Sequence, residues 1–102
     1  MNQPTLPQEI LSVAVFEPVE GKGEDVLRTL RELARVLSEN GFSRDLLYTE
    51  KATNRYILVR YWRSAGARRH AQEQPDALRC WARLADQINI IKVFETLEEV
   101  PL

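Results

Sequence analysis

The chain has 102 residues, a formal net charge of -1, 44% hydrophobic and 28% charged residues, and one cysteine. That length supports one hydrophobic core, and a charge balance this close to neutral argues against nucleic acid or an anionic membrane surface as partner. Cys80, standing alone, excludes a disulfide within these residues and any cysteine-based zinc cluster, and it fits a reducing, cytoplasmic setting.

Residues 1–8 carry Pro4 and Pro7 and no basic segment followed by an apolar run, so they read as a flexible N-terminal arm and not as a signal peptide or membrane span. Residues 10–16 are mostly apolar and partly β-branched, the mark of a strand buried on both faces. Pro18, Gly21 and Gly23 then form a turn. Val26, Leu30, Leu33 and Leu37 recur at helical spacing, with Leu27 and Ala34 beside them and Arg28, Glu32, Arg35 and Glu39 outside; the pairs Arg28 with Glu32 and Arg35 with Glu39 lie four apart. Asn40 and Gly41 end this helix, since both tolerate the left-handed conformation. Residues 44–51 and 56–62 read as a hairpin across the polar link 52–55. Ser64 is a helix cap, and Pro75 breaks the following helical stretch in two, with Leu78, Trp81, Ala82 and Ala85 expected inward on the second piece. Residues 88–95 make the last strand, and 98–102 a short tail.

The order β-α-β-β-α-β is the ferredoxin-like α+β arrangement, a four-stranded antiparallel sheet with its helices on one face. Residue alternation then poses a problem. In the first strand Leu11, Val13 and Val15 oppose Ile10, Ser12, Ala14 and Phe16, and in the third Ile57, Val59 and Tyr61 oppose Tyr56, Leu58, Arg60 and Trp62. Both rows are apolar, yet helices cover one face only, so the other face calls for a partner, most simply the same face of a second copy in a homodimer.

Arg60 is a charge inside an otherwise apolar strand and has to be paired or to face a cavity. One expectation is that it stabilises an anionic substrate or the charge developing on dioxygen; the other is an ion pair with a carboxylate such as Glu50 or a partner-chain acid. His70, the single histidine, is a candidate general base, or else a helix residue bonded to a carbonyl or water. Trp62, on the face of Arg60, can wall a flat aromatic ligand, and Tyr48 reaches the same space if the hairpin register allows. Ser12 and Ala14 are small enough to leave room beside them. Cys80 has no visible histidine or metal neighbour and reads as an inert thiol. Arg68 and the other arginines of the second helical region, interleaved with Glu73, Asp76 and Asp86, read as a solvated face. No metal-ligand spacing, phosphate loop or nucleophile elbow is present.

The apolar strand ending in a Gly-Lys turn, Asn40-Gly41-Phe42, the run from Tyr56 through Trp62-Arg63-Ser64, and His70 downstream together resemble the antibiotic biosynthesis monooxygenase family of dimeric α+β barrels. The resemblance spans residues 9–97. It implies a homodimer, ligand held between each sheet and its own helices, and cofactor-independent oxygenation of a small aromatic, quinol or polyphenol-like, with His70 and Arg60 as catalytic groups and Trp62, Tyr48 and Ser12 as the substrate's surroundings. The alternative is a non-catalytic dimeric barrel that binds a small molecule or serves a structural role. The haem-degrading relatives of this fold keep a first-strand asparagine where this chain has Ala14 or Phe16, which disfavours that chemistry.

Overall fold

The computed structural model describes residues 9–102; the expected arm over residues 1–8 lies outside the described residues. Seven elements follow one another: β1 (Ile10–Pro18), α1 (Gly23–Glu39), β2 (Ser43–Glu50), β3 (Arg55–Trp62), α2 (Ala65–Ala71), α3 (Pro75–Gln87) and β4 (Ile88–Leu97). The strands form one antiparallel sheet in the order β2-β3-β1-β4, the ferredoxin-like topology, with the second helical region split in two. The split falls where Pro75 demands it. Proline is accepted at the first position of a helix, and the Gln74 side chain caps α3 by accepting from the Ala77 N–H at 3.0 Å. Ser64 caps α2 in the same way, its hydroxyl accepting from the Ala67 N–H at 3.0 Å.

α1 closes as expected. Gly41 takes φ +69, and a side chain there would also press on the Arg63 guanidinium, 3.3 Å from the position of a Cβ. The chain then re-enters the sheet through the Phe42 N–H, which donates to the Leu37 carbonyl, while the Phe42 carbonyl accepts from the Arg63 N–H. This ties the end of α1 to the junction after β3.

The core lies between the helices and one sheet face. It joins Val26, Leu30, Leu33, Val36 and Leu37 of α1 to Phe16, Trp62, Ala71, Ala77, Cys80 and Leu84, with Ile10, Ala14, Tyr56 and Leu58 packed against it. The row containing Ala14, Leu58, Arg60 and Trp62 is therefore the helix-covered one. The opposite row is open: Val13 stands beside Val59, and Val59 beside Leu46, with Tyr48 next to Ile57 and Phe94 next to Val13. Tyr48 is 55% exposed there, Leu46 45% and Phe94 41%.

Two expectations about the helices change. α3 buries Ala77, Cys80 and Leu84, leaving Leu78 at 47% exposure and Ala82 and Ala85 at the surface, so the inward stripe is turned about one residue from the one expected. The cause is that α3 packs mainly along α1, where the small side chains of Ala77 and Cys80 allow close approach. Glu32 does not pair with Arg28, which binds Asp25 instead; it faces α3 and accepts from Arg83 and from the Cys80 thiol. The pair of Arg35 with Glu39 forms at 3.2 Å.

The corrected helix face has a direct check in urea denaturation. Leu33→Ala, at a site with no exposure, should lose about 2–5 kcal/mol of stability. Leu78→Ala should change it by only about 0.5 kcal/mol. Equal losses at the two positions would contradict the packing.

Candidate functional site

The β2–β3 hairpin pairs Glu50 with Arg55, and this register sets Asp45 directly opposite Arg60 on the helix-covered face. The two side chains meet in a forked ion pair, Arg60 Nε donating to Asp45 Oδ1 at 2.9 Å and Nη2 to Oδ2 at 2.8 Å, while the Ser43 hydroxyl adds a contact to Oδ1 at 3.1 Å. The side chains are 10% and 5% exposed, so the charge in the apolar strand is neutralised where it is buried. Its partner is Asp45, one strand away, and not the expected Glu50. Glu50 turns to the hairpin link, accepting from the Ala52 N–H and the Thr53 hydroxyl, and these bonds hold its carboxyl below the ordinary range. The Arg60 guanidinium also lies 5.3 Å from the centre of the Trp62 ring, within cation–π range.

Beside this pair a cleft of about 390 Å³ opens between the sheet and the helices. Its floor is Ser12, Ala14, Leu58, Arg60 and Trp62, its far wall Val93 and Glu95 of β4, and its roof Arg68 and Gln72 from the α2 region with Trp81 of α3. The pairing of β1 with β4 slips between Leu11 and Val13. At this irregularity the Glu95 carbonyl accepts from two side chains, the Ser12 hydroxyl at 2.7 Å and Arg68 Nη1 at 3.2 Å. A second cavity of about 270 Å³, lined by Leu27, Leu30, Ala34, Leu47 and Asp45 among others, lies under α1, and Leu58 borders both.

Three of the five expected site residues, Ser12, Arg60 and Trp62, thus share one cleft. The other two lie elsewhere. Tyr48 stands on the open face of the sheet, because the register sets it beside Ile57 and away from the Arg60 row. His70 is exposed on α2 and is not among the cleft's lining residues, so the expected junction of His70 with Arg60 does not form. Sequence reasoning missed Arg68, Gln72, Trp81 and Glu95 as lining. In sequence Trp81 fits a core stripe and Arg68 a solvated face, and only the angle at which α2 and α3 lie over the sheet brings them to the cavity.

This chain matches the antibiotic biosynthesis monooxygenase family over residues 10–83, a stretch that holds both strands of the cleft floor and the helices above it. It belongs to that family. Solved structures agree in fold across nearly the whole chain. SnoaB of Streptomyces nogalater, described as a cofactor-independent oxygenase, superposes with a TM-score of 0.74 at 20% identity, covering 93% of this chain and 99% of that one. Rv0793 of Mycobacterium tuberculosis superposes at 0.72 with 16% identity over 92% and 100% of the two chains, and PA3566 of Pseudomonas aeruginosa at 0.74 with 17% identity over 91% and 96%. At such identities the likeness is one of fold. No curated protein matches the sequence.

Two further features of this family member bear on chemistry. Burial, followed by the hydrogen bond to Glu32, pushes the Cys80 thiol up from its ordinary range, so it stays protonated near neutral pH and is a poor nucleophile. The Cys80 and Arg83 hydrogen bonds in turn hold Glu32 below the usual carboxylate range. What Glu32 contributes to stability is therefore present above that range and fades as pH falls through its lowered folded value. Among the described residues no group of three or more His, Cys, Asp or Glu is placed to hold a metal ion, and no helix is long and apolar enough to cross a membrane.

The ion pair is the part of this site most open to test by stability. Asp45→Ala leaves the Arg60 guanidinium buried and uncompensated and should cost about 3–5 kcal/mol in chemical denaturation. Removing the exposed Arg35 from its pair with Glu39 should cost no more than about 1 kcal/mol. If Asp45→Ala were as mild as Arg35→Ala, the pair would not be the buried neutralising contact described.

Proposed function

We propose that this protein is a cofactor-independent monooxygenase acting on a small aromatic, quinol or polyphenol-like substrate held in the cleft between the sheet and the helices. The observation that carries this reading is the composition of the cleft: two tryptophans, small floor residues and a few polar groups beneath a helical roof. Membership of the family and the likeness in fold to SnoaB, a cofactor-independent oxygenase, support it.

The chemistry asks little of the protein. An ionised quinol or enol carbon gives one electron to dioxygen, and the resulting radical and superoxide join as a peroxide. The peroxide takes up a proton and loses water, leaving a carbonyl. The sum is one substrate CH2 group and one O2 giving one C=O and one H2O, and no outside reductant enters. In this scheme Trp62 and Trp81 hold the ring, Ser12, its proton given to the Glu95 carbonyl, offers a hydroxyl oxygen as acceptor, and the Arg60–Asp45 pair presents a fixed dipole beside the reacting centre without adding net charge. His70 stands outside the lining, so the initial ionisation falls to the substrate's own acidity and to the cleft's electrostatics. The second reading, a non-catalytic barrel that binds a small aromatic molecule, draws on the same His70 position and on the forked pairing of Arg60 with Asp45.

Oxygen uptake separates the two. The catalytic reading expects a quinol in a panel to consume one O2 per substrate above its autoxidation rate, without accumulating hydrogen peroxide. Trp62→Ala should lower that rate by about a hundredfold, on the order expected for loss of a positioning contact, and His70→Ala by less than about threefold. If every quinol in the panel reacts only at its autoxidation rate yet some bind, the non-catalytic reading holds.

The proposal includes a homodimer closed through the open sheet face. Leu11, Val13, Val15, Leu46, Ile57, Val59 and Phe94 share that face, and exposed apolar residues gathered on one face are the mark of an interaction surface. Val59→Asp sets a carboxylate at its centre while leaving the helix-covered core untouched. Light scattering at micromolar concentration should give twice the chain mass for the wild type and a smaller mass for the folded variant. A wild-type mass of one chain would overturn the dimer.

A further inference from the structure

The two arginines of the cleft are not equivalent. Arg60 has given Nε and Nη2 to both oxygens of Asp45, and to turn toward a ligand it would have to abandon a carboxylate that is only 5% exposed. Arg68 is differently held. Its Nη1 rests on the Glu95 backbone carbonyl at 3.2 Å, and its Nη2 lies 4.0 Å from a Glu95 carboxylate whose side chain is 77% exposed. Such a contact is weak and screened, so Arg68 can exchange it for a better anion at little cost. The Arg68 side chain is itself 25% exposed and lines the cleft beside the Ser12 hydroxyl, which bonds the same Glu95 carbonyl.

We propose that Arg68 is the residue that selects the substrate's charge, binding an ionised oxygen substituent, carboxylate or phenolate, on a planar aromatic ring seated in the cleft. The inference rests on the cleft being the ligand site, as argued above, and adds to it which substrate class the cleft prefers and which side chain decides. A guanidinium fixed at one end by a backbone carbonyl keeps its remaining N–H groups in a set direction, which favours an oxyanion over a neutral amide of the same shape. The Ser12 hydroxyl has given its one proton to the same carbonyl oxygen, so the donor available to an oxyanion at that end of the cleft is Arg68.

The test is calorimetric titration of the full chain at low salt with 1-naphthoate and with its uncharged isostere 1-naphthamide. For the wild type, naphthoate should bind about tenfold tighter or more, the size of one charge-assisted hydrogen bond set against a neutral one. Arg68→Gln should erase that difference while keeping naphthamide affinity within about twofold, and Arg68→Lys should restore part of it. Equal binding of the two probes by the wild type, or a preference that survives in Arg68→Gln, would overturn the role of Arg68 and leave the cleft as an aromatic site. Loss of naphthamide binding in Arg68→Gln would also overturn it, by showing a structural prop in place of a charge selector. Failure of the wild type to bind either probe would overturn the cleft itself as the aromatic site, and this proposal with it.

Discussion

A sheet with apolar rows on both faces and three helices that cover only one of them set the constraint from which the rest of this molecule follows. The helix-covered row, running through Phe16, Tyr56, Leu58 and Trp62, builds the core with α1. The opposite row is left to whatever can cover an apolar sheet, and its residues are β-branched, leucine or aromatic along most of its length. The same constraint makes the cleft. α1 and α3 pack against each other and not evenly over the sheet, so the part of the face nearest β4 is roofed only by the edge of α3 and by the short α2.

Within that face the Arg60–Asp45 pair has an unusual position. It lies between the cleft and the smaller cavity under α1, with Leu58 shared by both. An isolated charge there would collapse the packing or draw in water. A forked pair with a hydroxyl on its acidic partner instead supplies a rigid, neutral partition with a strong local dipole. Rigidity of this kind suits the proposed reaction, in which the substrate would carry the reactive electrons itself and the protein would hold a ring, exclude water and orient a few polar groups. The other cation of the cleft, Arg68, is held more lightly, by one backbone carbonyl and one exposed carboxylate.

The fold was legible because its signals are local and agree with one another: apolar β-branched runs, helical spacing in α1, Gly41 after Asn40, Ser64 as cap and Pro75 as break. The two apolar rows were legible too, since alternation needs no tertiary information. The site was read only in part, and the missing pieces are those that depend on register and helix rotation. Asp45 becomes the partner of Arg60 only when Glu50 pairs with Arg55; a hairpin two residues out of step puts Leu47 there instead. Parity alone did contain one answer. Any four-residue link of this hairpin leaves Tyr48 on the row of Ile57 and Val59, so its removal from the cleft could have been deduced. The rotation of α3 could not, because Leu78, Trp81, Ala82 and Ala85 make as good an apolar stripe as Ala77, Cys80 and Leu84, and what decides is the small-residue contact with α1 and the Glu32–Cys80–Arg83 link. His70 misled for a related reason: its place eight residues after Trp62 fits the family pattern, but two residues, about half a turn of a short helix, separate a side chain over the cleft, such as Arg68, from one in water.

The central claim is that ligand enters on the helix-covered side of the sheet. Backbone and indole NMR shifts during titration with 1-naphthol test it most directly. The account predicts that the perturbed resonances gather at Ser12, Ala14, Leu58, Trp62 and Trp81, both indole N–H signals included, while Tyr48, Ile57 and Val59 of the opposite row stay where they are. Shifts confined to the row of Tyr48, Ile57 and Val59, with both indoles unmoved, would contradict it.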